Sequence, residues 1–459
     1  MQEHFDVVII GAGMSGLAAG IRLAMFDKKV CILEKHAIPG GLNSYYNRGG
    51  FAFDVGLHAM TNFVAKGERA KPLTKLLKQL RISYEEFQLF EQTKSKILFP
   101  SHQLSFNNNC DLLRAEIARE FPTQSDAFEK LLKVVAEFNE LDLQTGYCSA
   151  KDRVAEIIRD PALLEMIFCP LLIYGSAWQD DMDFAQFVIM FKSIFLEGFS
   201  RPKGGVRTII DLLVKKFTEL GGDLRFRSGI EKIECKNNSV RAVHLKRQSI
   251  TADKIFSSAG LPETLSMLTE SVELRPRLGE MTFCESIFLF KEKPKDFAIE
   301  ETIIFYNNRP AYEYRVPRGL CDLQSAVICL PNNFLHDDYA QGVVRLTNIA
   351  NYRAWQALER SQYKLEKEKL ADNGRITMQK IFPTFKSELI YKDIFTPTTI
   401  KKFTGHTGGA VYGCLDKSRD GTTPIAGLYI CGTDQGFLGI VGSMLSGISM
   451  ANLHGLMTE

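Results

Sequence analysis

Phe5-Asp-Val-Val-Ile-Ile10 is an almost unbroken apolar run of strand length, the pattern of a strand buried on both faces of a parallel sheet. A glycine-rich turn follows. Apolar positions at Leu17, Ile21 and Ala24 then recur at helical spacing and predict a helix from Met14 to about Phe26. A second strand, Lys29-Val-Cys-Ile-Leu33, ends at Glu34 and completes a βαβ unit.

The pattern changes between about 76 and 200. Lys96–Phe99 and Gln103–Phe106, joined by Pro100-Ser-His102, predict a hairpin, and helical periodicity follows around 110–120, 125–141, 151–159 and 183–197. Arg201-Pro-Lys-Gly-Gly205 breaks the chain. Val206–Leu220 then reads as an amphipathic helix stopped by Gly221-Gly222. Short strand-like runs lie at 224–226, 229–233, 240–245, 254–256, 285–290, 301–306 and 325–330. A polar helix is predicted from Tyr352 to Leu370, then a strand at Gly427–Cys431 and a glycine-rich helix. The fold class is α/β: a discontinuous Rossmann-like nucleotide-binding domain of 1–75, 200–275 and 396–459, with an inserted α+β substrate domain of 76–199 and 276–395. A chain of 459 residues is long enough for two such units.

Composition narrows the function. The formal net charge of +2, from 56 basic and 54 acidic residues, gives no basic excess for tracking a phosphate backbone, so nucleic acid is not an expected partner. The ten cysteines form no Cys-x-x-Cys pair and have no histidine at metal spacing, so no metal site is expected. The first residues lack the basic and apolar pattern of a signal peptide, which leads to an expectation of a cytoplasmic protein with reduced thiols. Residues 435–458 carry no acidic, lysine or arginine side chain. Their five glycines, with serines and Asn452, suit a tightly packed internal helix better than a membrane span.

Three motifs carry chemistry. In Gly11-Ala-Gly13-Met14-Ser15-Gly16, Gly11 permits a tight turn, Gly13 lets a diphosphate approach the backbone, and Gly16 lets the helix pack on the strand. The helix start offers free N–H groups to the diphosphate, and Glu34, followed by Lys35, stands where a carboxylate accepts hydrogen bonds from an adenosine ribose. The second motif is Pro39-Gly-Gly41-Leu42, whose successive amides can form an anion-binding nest or an ordinary loop. Downstream of it lies Phe51-Ala-Phe-Asp-Val-Gly56-Leu-His58. For His58, a hydrogen-bonded structural role and a place beside a cofactor ring both stand. The third motif is Cys431-Gly432-Thr-Asp434, then Gly439-Ile440-Val441-Gly442. Here Asp434 could meet a ribityl or diphosphate-side hydroxyl, and the helix start would face the anionic edge of a reduced isoalloxazine.

These motifs resemble the FAD-dependent amine-oxidase-like superfamily, in the branch of phytoene desaturases, carotenoid isomerases and retinol saturases. The resemblance runs through nearly the whole chain. It rests on Val7–Gly16 with Glu34, Gly40–Leu42, Phe53–Gly56, Pro202–Gly205, Gly221-Gly222 leading to Gly229-Ile230, Gly409–Gly413, and Gly432–Gly442. It implies FAD as cofactor and a backbone contact from Ile230 to the adenine. The Gly432–Gly442 stretch is closer to retinol-saturase-like members, since the His-Pro-Gly-type turn usual in phytoene desaturases is missing. A second nicotinamide-type glycine motif is also missing, which implies a quinone, dioxygen or a diffusible reductase as electron partner.

The apolar segments Ala162–Trp178 and Phe184–Phe199, in a chain with 32 phenylalanines, suit either core packing or a hydrophobic tunnel, and also a surface patch from which a lipid could enter. The expected reaction is hydride transfer between flavin and a hydrophobic isoprenoid or polyene, in the desaturase or the saturase direction. His58, His406 and Tyr412 are candidate proton donors, and none is assigned as catalytic. The alternatives are an amine or porphyrinogen oxidase on the same fold and a prenyl-binding escort protein without flavin.

Overall fold

The computed structural model describes residues 3–56, 58–140, 142 and 146–457; Leu57, Leu141 and residue 458, included in the stretches above, lie outside them. Glu3–Ile10 lies between Val30–Leu33 and Ser249–Ser257, parallel to both. Asp223–Arg225 adds outside Val30–Leu33, and Leu428–Ile430 pairs with the end of Ser249–Ser257, both in parallel. Ile230–Lys236 and Ser239–Leu245 extend the sheet antiparallel. These seven strands come from three separated stretches of chain. The helices Met14–Ala24, Val206–Glu219 and Gly439–Met450 bury their apolar sides together against one face of the sheet.

A second seven-stranded sheet runs in the order Leu389–Phe395, Thr282–Phe290, Gly342–Ala350, Ser325–Cys329, Ile303–Asn307, Ser95–Leu98, Gln103–Phe106. Its pairings are antiparallel except for Ile303–Asn307 with Ser95–Leu98. Pro161–Gly175 and Phe184–Phe191 pack on one face, the latter continuing as a π-helical turn, Lys192–Leu196. Arg360–Ile381 covers the other face through Leu370, Ala371 and Met378.

Two strands of this sheet, Gly342–Ala350 and Leu389–Phe395, are not among the elements expected from sequence. The expected Tyr352–Leu370 helix is in fact two, Tyr352–Gln356 and Arg360–Ile381. Trp355 anchors the first of them: it is 1% exposed, and its indole N–H donates to the Leu320 carbonyl at 3.0 Å. The chain then turns so that the following helix also presents its apolar residues to the sheet. No helix among the described residues is long and apolar enough to cross a membrane.

Candidate functional site

The strand Glu3–Ile10 ends at Gly11, whose φ of +94° turns the chain into the Met14–Ala24 helix. Gly16 and Gly13 are glycines for opposite reasons. A Cβ on Gly16 would lie 2.1 Å from the Gly11 carbonyl oxygen, so the helix approaches the turn too closely for any side chain. A Cβ on Gly13 would meet no atom of the other described residues within 4 Å. Protein packing does not account for Gly13, and the space beside it is open to a ligand. The helix start has no capping side chain and no acidic residue in its first turn, so its amides remain free for an anion. Met14 and Ser15, in that turn, are buried.

The Gly40–Gly41 turn lies alongside. The Gly40 N–H donates to Ala12 O at 2.8 Å, and a Cβ on Gly41 would stand 3.6 Å from the Gly13 Cα. Glu34 is 6% exposed. Its carboxylate accepts from the amides of Ala12 (2.9 Å) and His36 (2.8 Å), one on each oxygen, which leaves further acceptor capacity on both. Lys35 folds beside Gly229 and Gly405, and Ile230 opens the neighbouring strand. Burial lowers the Lys35 pKa, and Glu34 and Glu263 oppose that shift.

The C-terminal motif closes on the same place. A Cβ on Gly432 would lie 2.8 Å from Ser15 Oγ, and one on Gly447 would lie 2.0 Å from Ser15 O. The Gly439–Met450 helix is thus packed directly on the first helix, with Ile440 and Val441 buried in its own uncapped first turn. Between these elements and the second sheet is a cavity of about 620 Å³. Leu42, Gly56, His58 and Ile440 line it from the motif side, and Ile173, Met190, Phe283, Val327 and Val411 supply an apolar wall opposite.

One charged network crosses that wall, and the sequence did not single it out. Glu285 (2% exposed) and Arg345 (3% exposed) form an ion pair between adjacent strands. Arg345 also donates to Asp54 O at 3.1 Å, and the Asp54 carboxylate is bound by Arg201 (2.6 Å) and by the Val206 amide (3.1 Å). Burial alone would raise the Glu285 carboxyl, but Arg345 and His58 outweigh it and hold the group at about 2. His58 Nε2 lies 2.7 Å from Thr347 Oγ1 and 3.5 Å from Glu285 Oε1. Of the other candidate donors, Tyr412 lines the cavity but gives its hydroxyl proton to Ile173 O. His406 lies against Gly260 and Glu263, and is not among the residues that line the cavity.

The sequence profile of the family described as flavin containing amine oxidoreductase matches residues 14–453. The chain belongs to this family. Among its relatives, it is 24% identical to the chloroplastic prolycopene isomerase of Daucus carota over 98% of this chain and 80% of that protein. It is 21% identical to the all-trans-retinol 13,14-reductase of Danio rerio over 98% of this chain and 86% of that protein. A solved oxidoreductase from Methanosarcina mazei shares the fold, with a TM-score of 0.68 at 16% identity over 97% of this chain and 99% of the other.

FAD is the cofactor, and the residues present fit it. The Gly11–Gly16 and Gly40–Gly41 turns leave room and amides for the diphosphate, and Glu34 has acceptor capacity for the ribose. Ile230 follows Gly229, which packs on Lys35, and would meet the adenine there, and the Ile440 helix start bounds the cavity that would take the isoalloxazine. Asp434, like Glu34, takes one backbone amide on each carboxylate oxygen. It is 1% exposed, and its oxygens accept the amides of Leu261 (2.6 Å) and Cys414 (2.8 Å), so it ties three turns together. Glu34→Gln is expected to weaken FAD binding by about 10- to 100-fold, because hydrogen bonds to a charged group contribute about 1.5–3 kcal/mol. Titration of apoprotein with FAD measures this, and an unchanged affinity would contradict the ribose assignment.

Proposed function

We propose that the protein transfers hydride between FAD and a carbon–carbon bond of a polyene isoprenoid held in the 620 Å³ cavity. The observation that carries this reading is the apolar wall of Ile173, Met190, Phe283, Val327 and Val411 facing the flavin-holding segments. Such a wall favours a substrate that gains by leaving water along most of its length. FAD supplies two-electron hydride chemistry when bound. The chain's own part is to bind the polyene, orient it and exclude water. An amine substrate is disfavoured, because the carboxylates that line the cavity already face cations of the protein: Glu285 faces Arg345, Glu140 faces Lys192 and Glu197 faces Lys71.

Relatives named for prolycopene isomerisation and retinol reduction support the polyene class. For the electrons, a quinone, dioxygen or a reductase is proposed as partner, and for location the cytoplasm with peripheral membrane contact. Support for such contact comes from a second cavity of about 470 Å³ that shares Ile189, Phe437 and Leu438 with the first. Its lining includes the exposed apolar residues Tyr147, Leu453 and Met457.

The test is anaerobic photoreduction of the holoprotein, then addition of polyenes, quinones and dioxygen in turn. Reoxidation by a polyene with loss of its long-wavelength absorbance is expected of a saturase, and reduction of oxidised flavin by a lipid is expected of a desaturase. Failure of every polyene to exchange electrons in either direction, with turnover of amines, would overturn the reading.

A further inference from the structure

A hydride transferred to one carbon of an alkene leaves its neighbour in need of a proton, and an apolar cavity offers few groups to give one. Around this cavity the ionisable residues are mostly committed elsewhere. Lys192 pairs with Glu140 at 2.8 Å and Lys71 with Glu197 at 4.0 Å, and Lys75 is exposed. Tyr412 is bound to Ile173 O, and Tyr174, whose ring packs on Phe199 and Phe305, has a buried hydroxyl with no hydrogen-bond partner among the described residues, its pKa held well above the usual phenol value by burial. Glu285 is an anion locked to Arg345.

His58 is the exception. Thr347 Oγ1 and Glu285 Oε1 both approach its Nε2, and the Cys329 thiol donates to its backbone carbonyl at 3.3 Å, so the ring is held from the wall side. That leaves Nδ1 without a protein partner among the described residues, on a side chain that lines the cavity. The carboxylate that would face an imidazolium here is fixed by a buried guanidinium and cannot swing away.

We infer that His58 is the proton-transferring catalytic residue of this cavity, held in place by Thr347 and by the Glu285–Arg345 pair. In the reducing direction one alkene carbon takes the hydride and the π electron pair moves to the neighbouring carbon. That carbon forms a C–H bond with the proton from Nδ1, whose N–H bond breaks to leave neutral imidazole. In the oxidising direction the same proton returns to Nδ1 as the hydride departs. Glu285 and Thr347 are positioning residues: they fix the ring and balance its charge, and they do not touch the reacting carbons. The inference rests on the polyene reading above.

The experiment uses photoreduced holoprotein with all-trans-retinol and lycopene as probes, in deuterated buffer, comparing wild type with His58→Gln and His58→Gly. The wild type is expected to place solvent deuterium at the protonated carbon in a single configuration. His58→Gln should keep its FAD and bind the polyene with KM changed by less than about 3-fold, yet turn over about 100-fold more slowly. Its product should carry deuterium in both configurations. Added imidazole is expected to restore turnover to His58→Gly. Wild-type rates and a single configuration in both variants would overturn the assignment while leaving the polyene reading intact. A wild type that converts neither probe in either direction would overturn the polyene reading, and this inference with it.

Discussion

Gly16→Ala is expected to yield a protein that purifies without FAD and has lost about 3 kcal/mol of stability. The added Cβ would stand 2.1 Å from the Gly11 carbonyl oxygen and 3.3 Å from Ile9 Cγ2, and neither backbone nor buried strand can yield cheaply. Relief requires the Met14–Ala24 helix to lift from the strand end. That motion would move the helix start away from the Gly40 turn, which is joined to Ala12 by one hydrogen bond. It would also strain the contact with the Gly439–Met450 helix, where Gly447 leaves no room above Ser15. Flavin absorbance of the purified protein and denaturant unfolding measure the two effects. Normal FAD content at wild-type stability would show that the helix does not depend on this approach.

Arg345→Met is expected to cost about 3–5 kcal/mol, because removal of one partner strands a buried carboxylate. The loss should depend on pH in a defined way. In the wild type Glu285 sits at about 2, against 4.5 for a free carboxyl, a difference that corresponds to about 3 kcal/mol of stability. Since the folded value is the lower one, this stability is fully present above about pH 4.5 and drains away as pH falls towards 2. Without the guanidinium, most of that dependence should vanish. Wild type should therefore lose more stability than Arg345→Met between pH 6 and pH 3 in parallel denaturant titrations. Parallel losses would mean that another carboxylate governs the acid limb.

The nucleotide-binding half was legible because its signals are local. The Phe5–Ile10 run, the Gly11–Gly16 spacing and Glu34 lie within 30 residues, and each constrains backbone geometry directly. The C-terminal glycines were legible as a tightly packed helix, though not the partner that Gly447 packs on. The second sheet was harder to read. Val343-Val-Arg345-Leu-Thr347-Asn348 interrupts an apolar run with Arg345, which pairs with Glu285, with Thr347, which lines the cavity, and with Asn348, which bonds the Asp322 and Ser325 carbonyls, so these polar roles disguised the strand. Tyr391-Lys392-Asp393 breaks the pattern of Leu389–Phe395 in the same way. Glu285 and Arg345 are 60 residues apart and meet only through strand register, for which a single sequence holds no local signal. Their one visible trace is a charge inside each apolar strand. Asp434 shows the reverse: its Gly-x-Asp spacing was clear, but only the tertiary structure reveals that the Leu261 and Cys414 amides engage it.

The most direct test is FAD titration of Gly13→Val beside a thermal or denaturant melt of the same protein. Position 13 has an extended backbone (φ −74°), and a Cβ there meets no atom of the other described residues within 4 Å, so the fold should keep its stability to within about 0.5 kcal/mol. FAD binding should be lost, because the valine would fill the space reserved for the diphosphate. A stable Gly13→Val protein that still takes up one FAD per chain with unchanged affinity would mean that the flavin is not held between these turns.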